Sequence, residues 1–141
     1  MVSVEQYRKM IKATKKKRNQ IEGKMQRDLG DMLRGIWAYR LNPNLIFWTY
    51  SGSGEKKDKT GAYWQYRKGL TKGDLDYRFH LAIDGVLAMV FLETKRPKGS
   101  LSREQKNFIK NHEGLSNAQC GVAKNMQEIE QFLIKTKVFI K

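Results

Sequence analysis

Two apolar runs meet at Asp84-Gly85, and folding them together brings a carboxylate opposite the first residue of the triplet Glu93-Thr94-Lys95. Asp-Gly between apolar, β-branched and aromatic segments signals a two-residue hairpin, because a type I′ turn needs positive φ at both central residues. Ile83 then faces Val86, and counting outward sets Asp76 opposite Glu93 and Asp74 opposite Lys95. Opposed Cβ atoms on a sheet lie about 4.5–5.5 Å apart, so two carboxylates there repel unless a cation sits between them or one is protonated. Mg²⁺, held through one or two carboxylates and waters, is the economical solution. The chemistry that follows is hydrolysis with a metal-activated water, the Lys95 ammonium orienting that water or offsetting phosphate charge. A surface ion pair at a strand end is the plainer alternative for an isolated Glu-x-Lys.

The elements that must position these groups can be read from periodicity. The run Val86–Leu92 is apolar at every position, as in a strand buried on both faces. Met25, Leu29, Met32, Leu33 and Ile36 recur at helical spacing and predict an amphipathic helix over 21–41, with Glu22 on the same inward stripe. A carboxylate there needs a cation or hydrogen bonds, unless the first turn frays and leaves it in solvent near the helix dipole. Leu45–Tyr50 and Ala62–Lys68 read as strands separated by a Gly/Ser-rich basic loop at 51–61, either a hairpin tip or a loop that closes over nucleic acid. Ser102 and Gln105 form a capping box at the start of a helix over 103–111. A strand at 119–124, a helix at 126–135 capped by Asn125, and an edge strand at 138–140 complete the order.

The stretch Gly73 to Lys95, continued by Arg96-Pro97-Lys98 and Gln105, resembles the virus-type replication-repair nuclease domain (VRR-NUC) of the PD-(D/E)xK superfamily. That family shows Gly-x-Pro-Asp, a strand, Glu-x-Lys-Arg, a small-residue loop and a Gln on the next helix. Gly73 and Asp76 match the first motif with Leu75 in place of Pro, which leaves Asp76 and Asp74 both open as the ligand. Glu93, Lys95 and Gln105 match directly, and Glu22 with Gln26 matches the family's Glu and Gln on the first core helix. The resemblance covers roughly residues 21–135. It implies an α/β, restriction-endonuclease-like core with a mixed sheet flanked by helices, and a Mg²⁺- or Mn²⁺-dependent endonuclease. Asp76, Glu93 and Glu22 would serve the metal, Lys95 the water, and Gln105 the water or phosphate. It further implies a homodimer acting on branched DNA such as a four-way (Holliday) junction in phage replication or repair.

Composition agrees with a phosphate-binding partner. Lys and Arg total 28 against 14 acidic residues, for a net charge of +14. Residues 1–20 form a basic arm ahead of a single domain at 21–141. Its Lys15, Lys16, Lys17 and Arg18, with Lys56, Lys57 and Lys59 of the loop and Arg96 and Lys98 after the triplet, are the candidate nucleic-acid contacts. No membrane association is expected, because the longest apolar run is far shorter than a spanning helix and the first residues lack the apolar core of a signal peptide. The single Cys120 suits a reducing cytoplasm, as a buried thiol rather than a nucleophile; that the cell is a phage-infected or bacterial one is what the resemblance implies. Two other function classes fit the same residues. One is a non-catalytic nucleic-acid-binding module; the other is a single-strand or RNA-directed nuclease, in which Trp48, Tyr50, Tyr63, Trp64 and Tyr66 would stack on bases.

Overall fold

The computed structural model describes residues 3–35, 40–51, 68 and 73–140, with side chains described throughout except at 11–19. Their order is α1 (Val4–Leu33), β1 (Leu45–Tyr50), β2 (Tyr77–Ile83), β3 (Val86–Thr94), α2 (Arg103–His112), β4 (Ala118–Ala123) and α3 (Met126–Lys135). The strands form one four-stranded sheet in the order β1-β2-β3-β4. The first two junctions are antiparallel and β3 pairs with β4 in parallel. The fold is therefore α/β with a mixed sheet, and α2 is the crossover that parallel pairing requires.

The hairpin closes as its turn residues dictate: Asp84 has φ 51° and Gly85 φ 76°, and Ile83 pairs with Val86. The ladder runs out to Tyr77 opposite Leu92, so the next pair outward, Asp76 and Glu93, stands at the end of the sheet. From Val90 onward β3 is buried at every position. Its first residues, Val86 and Leu87, are exposed near the turn.

The core lies on one face of the sheet. Met25, Leu29, Met32 and Leu33 of α1 and Ile129 and Leu133 of α3 pack there against Tyr77, Phe79, Leu81, Val90 and Leu92. Burying such side chains contributes about 1.5–3 kcal/mol each. Trp48 and Tyr50 of β1 pack against this cluster as well, and the Arg34 guanidinium lies 5.5 Å from the Trp48 ring centre. Those two aromatics are committed to the fold. On the opposite face, Phe91 meets Phe108 and His112 of α2 at 5.0 Å between ring centres.

Two readings of the sequence change. Instead of a helix confined to 21–41, α1 is one 30-residue helix that begins at the Ser3 cap and includes most of the basic arm. It ends at Leu33, because Gly35 turns the chain into the left-handed region at φ 78°. At the other terminus no edge strand forms: Phe139 makes a single bridge to Leu41, and Val138 and Phe139 are instead buried in the core. The strand expected at 62–68, the tip of the loop at 52–61 with Lys56, Lys57 and Lys59, and Ile36, Trp37, Tyr63, Trp64 and Tyr66 lie outside the described residues.

α3 packs closely on β4 at Gly121, where a Cβ would run into the Phe132 ring. Gly121→Ala is accordingly expected to cost about 1–3 kcal/mol through overpacking. Chemical denaturation of Gly121→Ala, Phe132→Leu and the double variant checks this. The double variant should lose less than the sum of the singles, and additive losses would show that the close approach is not the cause.

Candidate active site

Four elements converge at the end of the β2–β3 hairpin. The chain entering β2 is fastened to the end of β1, since Ser51 N–H donates to the Asp76 carbonyl at 2.8 Å and Ser51 Oγ to the Leu75 carbonyl at 2.9 Å. Leu75, where the family pattern has Pro, is 1 % exposed and anchors the segment in the interior. Gly73 touches the first turn of α2 so closely that a Cβ would lie 2.5 Å from the Glu104 carbonyl oxygen. These contacts deliver Asp76 to Glu93.

Both carboxylates are buried, Asp76 at 4 % and Glu93 at 2 % exposure. Asp76 N–H donates to Glu93 Oε2 at 3.0 Å. Thr94 donates twice to Asp76 Oδ2, through its N–H at 3.0 Å and its hydroxyl at 2.6 Å. Gln26 of α1 donates to Thr94 Oγ1 at 3.0 Å and reaches the same Asp76 oxygen at 3.5 Å. Its own amide oxygen accepts from the Tyr50 hydroxyl at 3.3 Å. Among the described residues no hydrogen bond reaches Asp76 Oδ1, so that oxygen is available to a ligand.

On Glu93, Oε1 receives Gln105 Nε2 at 2.8 Å and the Lys95 ammonium at 3.3 Å. Gln105 serves two purposes with one amide. Its oxygen accepts from Ser102 N–H at 3.0 Å to complete the capping box, and its NH₂ holds Glu93. The cap and the site contact are thus one rigid unit. Of the remaining residues expected in the site, Glu22 is half-buried on α1, Arg96 is half-buried and Lys98 is exposed. Lys15, Lys16, Lys17 and Arg18 lie on the helical backbone of α1.

Burial sets the electrostatics. Desolvation, reinforced by the Asp76 charge, pushes the Glu93 pKa up to about 7 in spite of Lys95 and the Asp76 N–H. Asp76 is also raised by burial, with the Thr94 hydrogen bonds, Lys95 and Gln26 opposing. Glu22 is raised by burial and by Asp76, with Lys95 and Arg96 opposing. Three acids therefore share one field. Cys120, half-buried in β4, has its thiol pushed up to about 11 by burial and the Glu113 charge, so it is poorly suited to act as a nucleophile.

The donor set suits a hard divalent cation, because two adjacent buried carboxylates gain most from a positive charge between them. Among the described residues no three His, Cys, Asp or Glu side chains close into a ligand cluster. Protein ligation would therefore come from the Asp76–Glu93 pair, with water and substrate oxygens completing the shell as Mg²⁺ usually requires. Glu22 would act on the pair from outside it.

Thr94 and Gln26 hold the site in ways that residue type and spacing alone do not show. Thr94 is the unspecified middle of a Glu-x-Lys triplet, and in the family pattern Gln26 figures only as the companion of Glu22. No family model, curated protein or solved structure matches the chain.

The raised Glu93 pKa has a definite sign. Between the ordinary carboxyl value of 4.5 and about 7, the unfolded chain has released a proton that the folded chain retains. Stability from this group is therefore complete below 4.5 and is lost as pH rises through about 7. In EDTA, melting temperature should decline across that window more steeply for the wild type than for Glu93→Gln, and Ca²⁺ or Mg²⁺ should restore the wild type at pH 7.5. Parallel curves for the two proteins would refute the shift.

Proposed function

We propose that this chain is a divalent-metal-dependent endonuclease that hydrolyses phosphodiester bonds in DNA, with branched DNA such as a four-way junction as its substrate. The observation that carries this reading is the pair of buried, mutually adjacent carboxylates, Asp76 and Glu93, with the Lys95 ammonium 3.3 Å from Glu93. A core position for two acids is costly, and a cation with an anionic substrate makes use of it. The resemblance to VRR-NUC domains rests on these same residues.

In this reading Asp76 and Glu93 would hold Mg²⁺ or Mn²⁺. When bound, the cation lowers the pKa of a water and offsets charge on the phosphate. Thr94 and Gln26 hold Asp76 Oδ2, which keeps the carboxylate aimed without a reorganisation cost at the moment of reaction. Lys95 lies where it can orient the attacking water or stabilise the pentacoordinate phosphate. Gln105 keeps Glu93 in place from the helix cap. The net charge of +14 draws the polyanionic substrate in.

Two-fold symmetry supplies two cuts on opposing strands, so the active unit in this proposal is a homodimer. An intracellular, cytoplasmic setting goes with a DNA substrate. Among the described residues no helix is long and apolar enough to cross a membrane.

The second reading, a non-catalytic nucleic-acid-binding module, draws on the fact that Asp76 and Glu93 already have hydrogen-bond partners within the protein. One experiment separates the two. With Mg²⁺ or Mn²⁺ and a panel of linear, nicked, flapped and four-way DNA and RNA substrates, the wild type should cleave. Asp76→Ala, Glu93→Ala and Lys95→Ala should each lose about 10²-fold or more in rate while binding DNA about as well as before. Cleavage retained in all three variants, or no cleavage by the wild type of any substrate, refutes the nuclease reading.

The basic arm makes a separate prediction. Deleting residues 1–18 should weaken binding to all DNA sequences alike and flatten the dependence of log K on log salt by about one unit for each phosphate no longer neutralised. An unchanged slope would mean that these lysines and arginines only solvate α1.

A further inference from the structure

The face of β2 that leads away from the Asp76–Glu93 pair carries a cation that has no acidic partner among the described residues. Side chains alternate along a strand, so Arg78 and His80 succeed one another on the side of the sheet away from the main core, the side on which α2 reaches Glu93 through Gln105. Tyr77, Phe79 and Leu81 fill the core side. Arg78 pairs across the sheet with Thr49 of β1 and Phe91 of β3, neither of which offers a carboxylate. Its Nε is enclosed without a hydrogen-bond partner, and so is Nε2 of His80. The Arg78 side chain enters no described ion pair.

A half-buried guanidinium without a counter-ion is unfavourable in the free protein, since desolvation is incurred and nothing is gained in return. Structural arginines in such positions ordinarily lie against an acid. Here the neighbouring acids, Asp76 and Glu93, are engaged with Thr94, Gln26, Gln105 and Lys95. Among the described residues no acid is left for Arg78, and an anion from outside the protein would serve it. Two residues of strand rise, about 6–7 Å, separate Arg78 from Asp76, which is the scale of one nucleotide along a sugar-phosphate backbone. A guanidinium presents planar, paired donors that match a phosphate.

We infer that Arg78 binds the backbone phosphate next to the one held at Asp76 and Glu93, with His80 beside it, so that the outer face of β2 is the track on which the substrate strand lies. This inference rests on the nuclease reading for which phosphate is cut, but the binding it asserts does not require cleavage. Arg78 contributes charge and a fixed pair of donors to a phosphate that does not react. It therefore sets the position of the strand relative to the carboxylates.

Binding is tested in EDTA with a fluorescent single-stranded oligonucleotide and with its duplex, at several salt concentrations. Arg78→Met should weaken affinity by about tenfold at moderate salt and reduce the salt slope by about one unit. Arg27→Met, an exposed arginine on α1, removes the same charge and should change affinity much less. Arg78→Lys should restore the slope but only part of the affinity, because an ammonium lacks the paired donors. Equal affinities for Arg78→Met and Arg27→Met would overturn the assignment.

Should Arg78→Met fail to fold, the wild-type protein supplies the answer by NMR. Titration with the oligonucleotide should shift the Arg78 Nε–H and His80 ring resonances early and saturably, and unmoved resonances at saturation would equally overturn it. Loss of cleavage by Asp76→Ala with intact Arg78-dependent binding would support both proposals. Arg78-dependent binding by a protein that never cleaves would leave the phosphate site standing and remove the nuclease reading.

Discussion

The burial of two carboxylates side by side is the constraint around which the rest of the molecule is arranged. Asp76 and Glu93 are almost inaccessible to solvent, and each would be expensive to ionise there alone. The protein offsets that cost with directed donors: two from Thr94, one from the Asp76 backbone, one from Gln105 and one from Lys95. The compensation is incomplete. Glu93 remains pushed up to about 7, and an external cation would complete it.

Each donor depends on a different part of the fold. Thr94 and Lys95 come with β3, whose placement follows from pairing with β2 on one side and β4 on the other. Gln105 is fixed by the cap of α2. Gln26 is fixed by the packing of α1 on the core, through Met25 and Leu29 on either side of it in sequence. Tyr77 adds a bond from its hydroxyl to the Gln26 carbonyl at 3.1 Å, which ties α1 to β2 beside the pair. A loss of packing on the core face would thus be felt at the carboxylates through Gln26 before either acid was itself altered.

The two faces of the sheet divide the labour. One is covered by α1 and α3 and holds the continuous apolar core. The other carries only α2 among the described helices, and α2 has no fully buried residue. That thinner cover leaves Arg78 and His80 half-buried. Apolar burial on the first face supplies the stability that the second does without.

Much of the hairpin was determined by the sequence itself. Asp84-Gly85 selects a two-residue turn by the φ values it tolerates, the turn sets register, and register places Asp76 against Glu93; each step is local and follows from sterics. The capping box at Ser102 and the span of α3 behind its Asn125 cap were legible for the same reason. What only the tertiary structure decided was everything that joins distant segments. That the Asp76 carboxylate is held by Thr94 together with Gln26 follows from Ser51 fastening residues 75–76 to β1, from Leu75 being buried and from where α1 packs. That Gln105 serves the cap and Glu93 at once depends on where α2 docks. That Arg78 meets no acid among the described residues depends on what β1 and β3 bring opposite it. Side-chain type and spacing carry local geometry, whereas the partner of a buried charge is chosen by packing between segments far apart in the chain.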